Sequence, residues 1–191
     1  MSRKNQVFKL PYIGVETSGE YPMLIGDGGE CSIVIRIVNP VTRFSATPGA
    51  YDDFHRLMNN IVKIVGDGYL LQKLDVLSKA VYPLKQSDEY LQRKYFEHFA
   101  GREYVKIETY LILTMQVKKG AFYVYDPKGL RDFKQVIGKV LDILHTGKTA
   151  PEILKEGAIN LLVMQILAMD FSGQVTLNNY KPDDNGIGMG E

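Results

Sequence analysis

An α+β fold, mainly an antiparallel sheet with an opening β-hairpin and about four packed helices, is predicted by three features of the chain. Segments 31–38 and 105–113 alternate side chains with the two-residue period of strands. Segments 51–65 and 133–144 instead space their apolar residues three and four apart, as helices do. Turn-forming residues punctuate the two patterns, with Gly26-Asp27-Gly28-Gly29 the densest group.

In chain order, 7–15 and 22–25 read as short extended stretches, and the glycine-rich turn leads into 31–38. There Cys31, Ile33, Ile35 and Ile37 alternate with Ser32, Val34, Arg36 and Val38, so both faces are largely apolar and the strand belongs inside a sheet. Pro40 and Pro48-Gly49 end that pattern. Tyr51, Phe54, Leu57, Met58, Ile61, Val62 and Val65 then mark a helix that stops near Gly66. Segment 69–81 reads as extended, and the doublet Leu70-Leu71, which breaks the alternation, leaves open a bulge or a strand followed by an irregular stretch.

After Pro83, Ser87 is placed to cap a helix, and Asp88 and Glu89 suit the positive end of its dipole. Glu89–Arg93 and Arg93–Glu97 are spaced for surface ion pairs, and Gly101 supplies the left-handed stop. Leu91, Tyr95 and Phe99 recur every fourth residue and predict one buried helix face, leaving Arg102 and Glu103 as a rim ion pair. The strand 105–113 puts Val105, Ile107, Thr109, Leu111 and Leu113 on one face and Lys106, Glu108, Tyr110 and Ile112 on the other, so it is half-exposed at its start and buried later. Lys118-Lys119-Gly120 turns into 121–125.

Phe133, Val136, Ile137, Val140, Leu141 and Leu144 define the clearest helix. Pro151 opens the next, where Ile159, Leu162, Val163, Ile166 and Leu167 form a stripe that Leu161, Met164 and Met169 widen, so burial on more than one side is expected. Segment 174–177 suits an edge strand. The expected division is a single α+β domain over 1–178 and a polar linker over 179–191, rich in Asn, Asp and Gly.

Composition excludes more than it assigns. A chain of 191 residues suits one domain with a real core, and 45% hydrophobic with 24% charged residues is the globular balance. The 23 basic residues are interspersed with 22 acidic ones, leaving a net charge of +1 and no basic run to hold nucleic acid. The lone Cys31 closes no internal disulfide. The longest nearly apolar run, 161–169, is too short for the ~30 Å core of a bilayer.

Catalytic motifs are weighed and set aside. Gly147-Lys148-Thr149 imitates the end of a phosphate-binding loop, but the glycine needed five positions earlier is Asp142, on a strong helix. Gly147 is read as a helix stop and Thr149 as a cap for the following helix. His55, His98 and His145 stand apart from one another, and Asp52 and Asp53 complement a helix dipole. No catalytic, cofactor-binding or metal-ligating residue is assigned.

The run 87–114, SDEYLQRKYFEHFAGREYVKIETYLILT, with the order of elements around it, resembles the N-terminal domain of conjugative-transposon TraG-type ATPases, relatives of the VirB-class ATPases of type IV secretion. The resemblance covers nearly the whole chain. It implies a non-catalytic piece of a longer DNA-transfer protein, with the P-loop, ATP, Mg and hydrolysis confined to a motor domain beyond Glu191. It further implies type IV secretion channel or inner-membrane subunits as partners, self-association with the parent motor, and a cytoplasmic place peripheral to the inner membrane. The competing reading is a stand-alone single-stranded nucleic-acid-binding domain or small enzyme using Arg102 and Tyr104. It requires exposed rings at Tyr104 or Tyr110 beside Arg102.

Overall fold

The computed structural model describes residues 12–39, 49–117, 127–171, 180–183 and 186–189, the last two segments through their backbone. Strand β1 (Tyr12–Glu16) pairs antiparallel with β2 (Met23–Gly26), forming the opening hairpin. The glycine-rich turn then reverses the chain: the Gly26 N–H donates to the Glu30 carbonyl at 2.8 Å, and Gly29 adopts φ 83°. It delivers β3 (Cys31–Ile37) beside β2.

The remaining sheet strands are β4 (Tyr69–Val81), β5 (Glu103–Met115) and β6 (Glu152–Ile153). Their order is β1-β2-β3-β5-β4, with β6 also on β3, and every described pairing is antiparallel. One edge of β3 runs along β5, while the other is shared by β2 and β6. This central position explains why β3 is apolar on both faces.

Each face carries its own core. Helices α1 (Ala50–Val65) and α3 (Pro127–Thr146) cover the face of Ile33, Ile35, Ile37, Leu111 and Leu113. Phe133, Ile137, Val140 and Leu144 of α3 are fully buried there, each worth roughly 1.5–3 kcal/mol of transfer free energy. Helix α4 (Glu156–Ala168) lies on the other face, where Ile159 and Leu162 meet Val34, Val76 and Tyr110. The α+β class and the opening hairpin thus match the sequence pattern. Helix α2 (Tyr90–Phe99) stands apart from both cores and buries no residue.

Several local expectations are corrected. Strand β4 is unbroken, matched with β5 from Tyr69↔Met115 to Val81↔Glu103. The leucine doublet causes no break because Leu71 packs on the α1/α3 core while Leu70 stays exposed on the other face. In α1 the buried stripe runs through Phe54, Leu57, Met58, Ile61 and Val65, whereas Tyr51 and Val62 are exposed. The fourth helix starts at Glu156 rather than Pro151, because the intervening Glu152 and Ile153 are drawn into the β3 ladder.

Nor is α4 buried on two sides: Leu161, Ile166, Leu167 and Met169 are exposed, since this helix has one sheet face to lie on. The Thr149 hydroxyl caps the preceding helix, donating to the Leu144 carbonyl at 2.9 Å from a fully buried position. Within 179–191, expected to be a polar linker, the backbone forms β7 (Tyr180–Asp183) paired with β8 (Gly186–Met189). The expected strands at 121–125 and 174–177, and the first residues of 7–15, lie outside the described residues.

Candidate interaction surface

An exposed arm is built from the outer halves of β4 and β5. Strand β3 stops at Ile37, opposite Thr109, so residues 103–108 and their partners 76–81 continue as a two-stranded ribbon. Six residues at about 3.3 Å each carry it roughly 20 Å beyond the central sheet. At its root Asn39 donates to the Thr109 hydroxyl at 2.9 Å, and Thr109 donates to Asp75 at 2.6 Å. Lys73 pairs with the other oxygen of Asp75.

This chain of polar groups ends the core without leaving a buried donor orphaned, since Thr109 is fully buried. Burial pushes the Asp75 carboxyl upward, but hydrogen bonds from Lys73 and Thr109 and the Lys73 charge outweigh it and hold the pKa below its ordinary value. Asp75 is therefore an anchored anion at the arm's base.

Residues opposite one another on antiparallel strands share a face. Leu77 opposite Ile107, Val105 opposite Lys79, and Val81 opposite Glu103 thus lie on the α1/α3 side, beyond those helices. Leu77, Val105 and Val81 are 65%, 60% and 59% exposed, an apolar strip that no described helix covers.

Helix α2 closes the arm. Ser87 accepts the Glu89 N–H at 3.2 Å just ahead of the helix, and Gly101, at φ 79°, turns the chain back into β5. The ladder is prolonged past Val81, with the Tyr82 N–H donating to the Arg102 carbonyl at 2.9 Å and the Gly101 N–H to the Tyr82 carbonyl at 3.0 Å. Tyr82 is the hub of the tip: its ring lies 6.5 Å from Phe96, 6.1 Å from Phe99 and 6.1 Å from Tyr104.

The face expected to be buried is therefore misplaced. Phe96 and Phe99 turn inward, while Leu91 and Tyr95 are 73% and 54% exposed, because the ribbon is too narrow to cover a wider stripe. Tyr90 and Leu84 are exposed beside them. Glu97 pairs with Lys94 at 2.6 Å rather than with Arg93, which lies over the Tyr90 ring. Arg102 lies over Phe99, 5.4 Å from its centroid, instead of bridging to Glu103.

The two tyrosines singled out for a stacking surface separate. Tyr104 is 42% exposed at the tip, whereas Tyr110 is 6% exposed against α4. Tyr110 instead floors an open groove of about 640 Å³ between the arm and α4, lined also by Arg36, Lys106, Glu108, Leu161 and Gln165. Arg36 is tied to Glu152, and Lys106 to Glu108 at 3.0 Å. Arg102 is not among its lining residues.

Other chemical candidates have local partners. His55 packs against Tyr51 and His98 against Phe99. Asp53 pairs with Arg56 on the exposed first turns of α1. Burial, then the Glu30 charge, raises the pKa of the half-buried Cys31 thiol and disfavours thiolate. Among the described residues no group of three or more His, Cys, Asp or Glu side chains converges, and no helix is long and apolar enough to cross a membrane. No protein-family model matches the chain, and no curated protein matches it significantly.

Proposed function

We propose that this chain is a non-catalytic docking and assembly domain of the TraG type, which connects the ATPase motor of a conjugative type IV secretion system to channel or inner-membrane subunits on the cytoplasmic side. The resemblance of segment 87–114 supplies the identity of the system. The observation that carries a docking role is the arm tip, where Tyr90, Leu91 and Tyr95 stand exposed on a helix braced by the Tyr82 cluster, and Leu84 stands exposed on the segment leading into it. Exposed tyrosines with arginines beside them are the composition of protein-binding hot spots, and the exposed leucines add apolar area around them.

Single-strand binding is the second reading, favoured by exposed Tyr90, Tyr95 and Tyr104 near Lys85, Arg93 and Arg102. Charge weighs against it. Across 82–104 the cations Lys85, Arg93, Lys94 and Arg102 are balanced by Asp88, Glu89, Glu97 and Glu103, so the tip has no net positive field for phosphates.

Pull-down of the purified chain with each channel subunit separates the readings. Capture of a subunit is expected, and the double variant Leu91→Ser/Tyr95→Ala should weaken it about tenfold or more, because truncating hot-spot residues typically costs over 1 kcal/mol each. Failure with every subunit, under conditions where a longer parent protein binds, would overturn the docking role. Steeply salt-dependent oligonucleotide binding would favour the second reading.

A further inference from the structure

We infer that the outer edge of β4 is a self-pairing site, through which a second copy of this chain adds β4 to β4 antiparallel about a two-fold axis at Leu77. This deepens the assembly role proposed above and rests on it. Strand β4 is the last strand of the sheet order, and among the described residues nothing pairs with its outer edge. Its 13 residues contain no proline, and it runs without a bulge against β5. An edge so long and regular invites strand addition unless charges restrict it.

The charges present restrict it to a particular partner. Lys73, Asp75, Leu77, Lys79 and Val81 share one face by strand alternation, in line with the α1/α3 core. A two-fold axis perpendicular to the sheet keeps that face on the same side in both copies. Centred on Leu77, it sets Lys79 of each copy opposite Asp75 of the other, Leu77 opposite itself and Lys73 opposite Val81. Centred on Asp75 or Lys79 it would oppose like charges, which is unfavourable for a cross-strand pair.

A centre at Leu74 would instead oppose Lys73 and Asp75, but those two are already paired within one chain. Lys79 has no carboxylate partner among the described ion pairs, and the Leu77 register sets it, in duplicate, beside the other copy's Asp75, which it then shares with Lys73, whereas the Leu74 register only repeats the Lys73–Asp75 pair. Leu77 itself, 65% exposed, is brought against its own copy at the axis. The occupant that fits this edge is thus a second β4, the one strand certain to carry the complementary sequence.

Sedimentation and disulfide trapping test the register. The native chain should show concentration-dependent dimers, and Lys79→Asp, which makes two like-charge pairs, should weaken them about tenfold or more. On the axis, opposed Cα atoms lie about 4.5–5.5 Å apart, inside the range a disulfide spans, so Leu77→Cys should cross-link to itself under oxidation. Val81→Cys, roughly 26 Å from its own copy in this register, should not. The native chain with Cys31 alone is the oxidation control.

A monomer at all concentrations would overturn the pairing, as would self-cross-linking of Leu74→Cys in preference to Leu77→Cys. The two proposals fail separately. A monomer that still captures a channel subunit removes the edge pairing and keeps the docking role. A cross-linked dimer that captures no subunit does the reverse.

Discussion

At the residue scale, the groups that resemble chemistry are fastened to structural work. Asp75 illustrates this. Its pKa is depressed in the folded state, so the stability it contributes is present above its unfolded value and is lost as pH falls through the folded one. Asp75→Asn should therefore lower stability by roughly 1 kcal/mol at neutral pH, a modest figure because the site is partly solvated, and the deficit should shrink below the carboxylate range. Urea midpoints of both proteins across acid pH measure it. Gly147 and Thr149, the residues that imitate a phosphate loop, are explained in the same local way. A Cβ on Gly147 would lie 2.7 Å from Cδ1 of Leu57, and Thr149 satisfies the end of α3 from a buried site. Thr149→Val removes the hydroxyl's bond and leaves the Leu144 carbonyl only the backbone N–H of residue 149, at 3.2 Å in the native chain, so it should cost about 0.5–1.5 kcal/mol in urea unfolding, with nucleotide binding absent before and after.

Legibility in the sequence divides at the element scale. Elements facing one of the two cores were readable, because burial imposes a period: β3, α3 and the inner half of β5 hold apolar residues where the pattern places them. The errors fall where burial stops. The spacing of Leu91, Tyr95 and Phe99 is that of a buried helix face, yet α2 sits on a ribbon two strands wide and turns Phe96 and Phe99 inward. The apolar α4 likewise gave no warning that only one side would be covered. No local pattern reports how wide the supporting surface is: the exposed start of β5 at Val105 was readable from the polar residues alternating with it, whereas Leu77 and Val81 were illegible because their residue types are those of a core. Tyr82, the hub of the tip, also carried no signal, lying as it does between a strand and a proline. Tyr82→Ala should loosen α2 without unfolding the body. Amide exchange across Tyr90–Phe99 should accelerate severalfold while α3 is unchanged.

For the whole molecule, the sheet divides into a part with a core on both faces and a part with little on either. Residues 109–115 of β5 are clamped between β3 and β4, with α1 and α3 on one side and α4 on the other. Residues 103–108 keep only β4, and all but Glu108 are exposed. Apolar burial is what makes opening costly, so one strand should contain two levels of protection. The expected outcome is a step near Thr109: its amides inward to Leu113 should exchange only with global unfolding, whereas 104–107 should open locally and faster. Uniform protection along β5 in the free chain at low concentration would contradict this division. Adding a second β4 gives each arm a longer sheet and protects the outward N–H groups of β4, so raising the protein concentration should slow exchange across 73–81 before it alters 109–113. That ordering connects edge pairing to the arm itself, because association through any other surface would leave the β4 amides at their monomer rate.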